Sequence, residues 1–372
     1  MSSRLPVVGF PPRGAYPEPV ASGGQRGYSV VLAASDSSDR CKAGADIVCL
    51  AGDNTAELAA VLDGATSSKT VLLLPGNYHI NDNVGPGHED VMISGLGAVL
   101  HCDDQSYAGL SFGYEKTAVF GLTLVSHYPR QQLLGLIADK CAAERVVFNG
   151  NNQYLSRAIY AGGRYSTIMG CHAYDIKETV AFTLNGLGSK AICNTTDQVY
   201  GGIAVYSPDC VAYANVLVGN SVLGAQVLQR GPGIVTGLGH NALIRANSIS
   251  RFFSGMDVQG HNYEISGNMI RDIEHWGLYL DGDHGVVADN HITAYGQYHP
   301  FSAHSAGIAT NGTDTRLKIT GNLLRSTYAD EGLEINGDRT YLSHNDLKGS
   351  GTTPVVIGAA ASGTLYGAPN RV

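Results

Sequence analysis

Charge is scarce in this 372-residue chain: only 15 % of its residues are Asp, Glu, Lys or Arg, and they sum to −8. A general nucleic-acid binder needs a basic face that displaces counterions from phosphates, so that class is excluded. Long apolar runs are lacking too. Nothing approaches the roughly 18 residues of a membrane-spanning helix, and Met1-Ser-Ser-Arg-Leu-Pro6 has no apolar stretch of the kind that marks a secretory signal peptide. The chain is therefore expected neither to enter a membrane nor to use the general export route. The 7 cysteines include no CxxC pair and are odd in number, which argues against a zinc site and a disulfide framework. Cys171 and Cys193, 22 residues apart, are expected to stack as small apolar groups. Walker A loops, dinucleotide fingerprints, Gly-x-Ser-x-Gly elbows and zincin helices are all missing.

What the chain does have is glycine, 48 residues of it, and a two-part repeat of roughly 22 residues, Gly-apolar-x-apolar followed by apolar-x-Gly/Ala-Asn-x-apolar. Gly255-Met-Asp-Val258 with Ile265-Ser-Gly-Asn268 and Gly277-Leu-Tyr-Leu280 with Val287-Ala-Asp-Asn290 are clear instances. Their alignment yields an asparagine column at Asn194, Asn215, Asn247, Asn268, Asn290, Asn322 and Asn345, with intervals of 21, 32, 21, 22, 32 and 23. Stacked coils bring such residues about 4.8 Å apart, where one amide reaches the next. The expected fold is all-β: a right-handed parallel β-helix, a solenoid of about eleven coils, with a short N-terminal capping helix. Two intervals of 32 imply insertions at one place in the coil, within residues 219–230 and 295–304, that wall off the coils between them.

Residues 1–27, with Pro6, Pro11, Pro12, Pro17 and Pro19, read as a Pro/Gly-rich arm. Residues 28–372 read as one β-helix domain, divided into a capping module (28–81), coils (82–350) and a C-terminal coil and tail (351–372). In the capping module, Asp53 to Asp63 reads as a helix and Thr70 to Ile80 as strand. Lys42-Ala-Gly-Ala-Asp-Ile-Val-Cys49, that helix and Val71-Leu-Leu-Leu-Pro-Gly-Asn-Tyr78 together resemble the opening of pectate-lyase-like β-helix proteins. The resemblance implies a fold shared by lyases, hydrolases, epimerases and viral tailspikes, and implies little about chemistry.

In the Gly-apolar-x-apolar strand, alternation predicts that the Gly, the x residue and the residue two beyond it face solvent. Those positions are bland through Gly202, Ala204, Tyr206, Gly233, Val235 and Gly237, then change to Asp257 and Gln259, Tyr279 and Asp281, Ala309 and Asn311, Glu334 and Asn336. Asp257 and Asp281, one coil and two residues apart, are expected about 8 Å apart. That fits the roughly 6.5–9.5 Å carboxyl separation of an inverting glycosidase. The candidate catalytic residues are Asp257, Asp281 and Tyr279; the candidate sugar-binding residues are Gln259, His275, Trp276, Asn311, Glu334 and Asn336. Trp276 offers a ring for a sugar face. His240, His261, His275 and His284 fall in turns, where backbone-bonded histidines are common. No metal site or cofactor is expected, although Asp281-Gly-Asp-His284 offers Ca²⁺ some of its oxygen ligands.

Three functions fit. One is a virion component, tailspike-like, that binds and degrades or only binds a cell-envelope polysaccharide, as a homotrimer held to other virion proteins by residues 1–27. A second is a free-standing glycoside hydrolase, polysaccharide lyase or epimerase, located in the cytoplasm or released by a non-classical route. A third is a structural spacer without ligand.

Overall fold

The structure, a computed structural model, describes residues 30–371 apart from 66–68, 104–108, 152, 154, 178, 221–230, 238, 297–304, 312–315, 330, 351–352, 360 and 368. The arm and most of both insertions lie outside the described residues.

The chain winds into a parallel β-helix. Each coil lays one strand on each of three parallel sheets, of 15, 11 and 11 strands, before starting the next. Inward rows are apolar and in register. On the third sheet, Leu134, Ile159, Phe182, Ile203, Ile234, Met256, Leu278, Ile308 and Leu333 stack rung upon rung. All are fully buried. A single hydrophobic cluster runs from Leu32 to Leu347, so each coil is stabilised chiefly by burial against its neighbours.

The asparagine column stands where the first sheet turns into the second. From Asn215 onward, each Oδ1 accepts two hydrogen bonds from the preceding coil's asparagine. Asn247 Oδ1 takes Asn215 N at 3.0 Å and Asn215 Nδ2 at 2.8 Å, while Asn247 Nδ2 donates to Ala212 O at 2.9 Å and to Asn268 Oδ1 at 3.0 Å. The ladder continues past the predicted column to Asn370, which accepts from Asn345. The residue before each asparagine has left-handed backbone: Cys193, Ala214, Ala246, Gly267, Asp289, Gly321 and His344 have φ of 54° to 69°. Glycine is favoured there, and the non-glycine residues are held in place by the ladder behind them.

The same register corrects the cysteine expectation. Cys171 N donates to Asn194 Oδ1, so Cys171 occupies the asparagine column, whereas Cys193 is exposed at the left-handed position before it. The two do not stack. Burial pushes the Cys171 thiol up to about 12, far from reactive.

A second correction concerns the glycines that open the third-sheet strands. They do not face solvent. A Cβ on Gly233, Gly255 or Gly277 would lie 2.3–2.5 Å from Ile249, Ile270 or Ile292 on the second sheet. The chain rounds a corner there, strict alternation fails, and only hydrogen fits against the core.

At the N-terminal end, the capping helix spans Thr55–Gly64; Asp53 Oδ1 accepts Thr55 N at 2.9 Å, and Leu58, Val61 and Leu62 cover the end of the core. The predicted Thr70 to Ile80 strand is two strands, Thr70–Leu73 and Gly76–Ile80, which belong to different sheets and meet at Pro75. Tyr78 is wholly buried, and its hydroxyl donates to Leu32 O at 3.0 Å or Leu74 O at 2.9 Å.

Candidate functional site

The outward side of the third sheet carries two rows. Asp257 pairs with Tyr279, Tyr279 with Ala309, and Ala309 with Glu334; Gln259 pairs with Asp281 in the row beside. Asp281 is thus the diagonal neighbour of Asp257, at the offset that the repeat predicted. Asn311 and Asn336 follow Asp281 in the second row.

Hydrogen bonds fix several of these groups. Asn311 Nδ2 donates to the Tyr279 hydroxyl at 2.8 Å, and Asn336 Nδ2 to Glu334 Oε1 at 2.9 Å. Two inward threonines anchor the backbone behind the amides. Thr236 Oγ1 accepts from Gln259 N at 2.9 Å, and Thr310 Oγ1 accepts from Asn336 N at 3.0 Å. Gln259, Asp281 and Asn311 are exposed, while Asp257, Tyr279, Glu334 and Asn336 are half-buried.

Asp257 is electrostatically distinctive. Its Oδ1 is buried without a hydrogen-bond partner among the described residues. Burial, and then the charge of Asp281, push its carboxyl above the usual carboxylate range, with the Gln259 amide working against them. Tyr279 is also raised, first by burial, with the charges of Asp281, Asp257 and Glu334 adding to it and the Asn311 hydrogen bond opposing. Both groups are thereby biased toward the protonated form.

The aromatics form a continuous run. Trp276 and Tyr279 stack with centroids 4.6 Å apart, His275 packs on Trp276 at 3.5 Å, and Phe253 lies 5.2 Å from His275. His275 is only 6 % exposed, so its ring backs the indole from inside. The indole Nε1–H is buried and unpartnered among the described residues. Away from this run, His240 and His261 stack at 4.9 Å, His261 N donates to His240 Nδ1, and His284 Nε2 lies 3.1 Å from Arg316. Among the described residues no group of three or more His, Cys, Asp or Glu is gathered to hold a metal ion; Asp283 lies 3.6 Å from His261.

One cluster was missed. On the second sheet near the N-terminal end, His79, His101 and His127 stack at 4.6 and 5.2 Å beside Asp103, whose Oδ2 is 2.6 Å from His79 Nδ1. A cleft of about 280 Å³, lined partly by His79, Asp103, Asp36 and Asn77, opens beside it. His79 and His101 pair in register, and that 22-residue spacing was the available signal.

No family model and no curated protein matches the sequence. Solved structures do match. An alginate lyase, AlyF-OU02, in complex with G6 superposes with a TM-score of 0.65 at 12 % identity, over 85 % of this chain and 83 % of that one. The A-module of mannuronan C-5 epimerase AlgE6 from Azotobacter vinelandii gives 0.56 at 15 %, over 86 % and 96 %. A tailspike protein of E. coli bacteriophage HK620, in complex with a hexasaccharide, gives 0.54 at 12 %, over 87 % and 78 %. Likeness at such identities concerns the fold, and in fold this chain is a parallel β-helix protein.

Proposed function

We propose that the outward face of the third sheet binds a cell-envelope polysaccharide, and that Asp257 and Asp281 cleave it by hydrolysis. The observation that carries this reading is the stacked Trp276–Tyr279 pair beside two diagonal carboxylates, one of them raised. Sugar rings present C–H faces to an aromatic platform and hydroxyls to carboxylates and amides. Asp257, protonated, gives its proton to the glycosidic oxygen as the C–O bond breaks. Asp281 takes a proton from the water that attacks the anomeric carbon, leaving a new reducing end and one inverted centre. The solved structures support a polysaccharide ligand: two act on alginate or mannuronan, and the tailspike holds a hexasaccharide.

The proposed setting is a virus particle, in which the rods associate as homotrimers and residues 1–27 join other virion proteins. Incubation with envelope polysaccharides and assay of reducing ends tests the chemistry, with Asp257→Asn and Asp281→Asn expected to be inactive. Reducing ends released equally by wild type and both variants would sink it. Light scattering tests the assembly, and a monomer at micromolar concentration would count against the virion role. A lyase reading is favoured instead if the product absorbs in the ultraviolet as an unsaturated sugar.

A further inference from the structure

The row that carries Asp281 continues toward the N-terminal end through Gln259 and Gly237 to Tyr206 and Asn185. Tyr206 is 44 % exposed. Its ring lies along the sheet against Gly237, where a Cβ would come within 2.7 Å of Tyr206 Cδ1, so glycine is what lets the ring lie flat. One rung back, Asn185 Nδ2 donates to the Tyr160 hydroxyl at 2.7 Å. That repeats the bond from Asn311 to Tyr279, in the same two rows and with the same diagonal. The Tyr160 ring is covered by the Arg157 guanidinium, 4.5 Å from its centroid, which leaves Tyr206 as the open ring of the group.

The ground between the two tyrosine–asparagine pairs is made of short side chains. Thr183 and Ala204 are almost fully buried, and Val235 follows them in the row before Asp257. No long side chain of that row rises between Tyr160 and Tyr279. From Tyr206 to Asp281 is three rungs, about 14 Å, and from Tyr160 to Tyr279 five rungs, about 24 Å.

Resting on the glycan-binding reading above, we infer that Tyr206, Asn185 and Tyr160 form a second sugar-binding station, and that the ligand is an extended polysaccharide lying along the helix axis across both stations. The open Tyr206 ring stacks on one sugar, and the Asn185 amide and Tyr160 hydroxyl meet its hydroxyls. Linking two stations through one chain raises affinity without any new contact at either, so length becomes the determinant of binding.

Bacterial lipopolysaccharide O-chain and dextran, each as polymer and as trisaccharide fragments, are the probes. Calorimetry reads affinity, and the emission of Trp276, the only tryptophan, reports the acidic station alone. Wild type is expected to bind one polymer at least tenfold more tightly than its trisaccharide. Tyr206→Ala removes that length advantage and leaves the trisaccharide-induced change in Trp276 emission unaltered, while Tyr206→Phe, which keeps the ring, retains the advantage. Equal affinity of wild type for polymer and trisaccharide, or undiminished polymer binding by Tyr206→Ala, overturns the second station and leaves the first standing. If no probe binds wild type or moves its Trp276 emission, the glycan-binding reading itself falls, and the second station with it.

Discussion

Trp276 and Tyr279 stack with their planes 30° apart, although three residues of regular strand would send them to opposite faces. The corner at Gly277 makes the contact, because its missing Cβ lets the chain turn against Ile292 before alternation resumes at Leu278. Trp276→Ala is therefore expected to weaken glycan binding about tenfold or more, the usual scale for a central aromatic anchor. Trp276→Phe should recover part of that loss. Calorimetric titration with the polysaccharide that wild type cleaves is the measurement, and equal affinities for wild type and Trp276→Ala would remove the indole from the site.

Asp257→Asn should lose cleavage and gain stability. Its carboxyl is raised in the folded state, so it destabilises the fold above that raised value, and the cost fades as pH falls through it. An amide cannot ionise, and the buried Oδ1 position then carries no charge. A gain of roughly 1 kcal/mol at neutral pH is expected, because the amide still puts a polar atom there but removes the larger cost of a buried charge. Denaturant titrations of both proteins at neutral and mildly acid pH check this: the difference should shrink as pH drops, and a variant less stable than wild type at neutral pH would contradict it.

The rungs of the fold were legible because the repeat is written in residue types that do one job each. An asparagine column, an apolar row and a glycine corner recur at fixed offsets, so the relation of Asp257 to Asp281 followed from counting. The corners were not legible. Gly277 reads as an outward residue under strict alternation, and only the approach of Ile292 shows that it turns inward. Cys193 misled for a similar reason: the 22-residue spacing from Cys171 matched the repeat length, but the local interval between columns is 23, so the pair slips by one position. The His79, His101 and His127 stack depends on Asp103 and on intervals of 22 and 26, which no single period brings together.

Asn247→Ala tests the ladder. The substitution removes four buried side-chain hydrogen bonds and strands the backbone amide of Asn215, while Ala212 O loses its side-chain donor. At about 1 kcal/mol for each bond, with more for the stranded amide, a loss of roughly 3–5 kcal/mol is expected. Chemical denaturation should show the drop. A change under about 1 kcal/mol would mean that the ladder contributes no more than surface hydrogen bonds do.

The position before it predicts the opposite sign. Ala246 has a φ of 55° and is exposed, so its Cβ is strained and packs on little. Ala246→Gly relieves the strain but makes the unfolded chain more flexible, and the balance is expected to favour the variant by about 0.5 kcal/mol. A fall in melting temperature relative to wild type would show that the alanine methyl contributes more than the strain costs.

The stacked histidines should make the N-terminal coils sensitive to acid. Burial lowers the His101 pKa below the ordinary imidazole range, the charges of His79 and His127 lower it further, and Asp103 and Asp36 oppose them. Its ring nitrogens are already engaged, Nδ1 with His127 Nε2 at 2.9 Å and Nε2 with Asn77 Oδ1 at 2.9 Å. Because the folded state resists protonation here, the unfolded chain binds more protons once pH drops below the unperturbed value of about 6.5. Stability contributed by this group is thus intact above that value and is lost as pH falls from there toward the lowered folded pKa. Thermal unfolding at about pH 7.5 and pH 5 should show a larger decrease for wild type than for His101→Gln, since glutamine has no proton to take up in this range. Equal decreases would locate the acid sensitivity elsewhere, with His172, which burial also lowers, as the next group to replace.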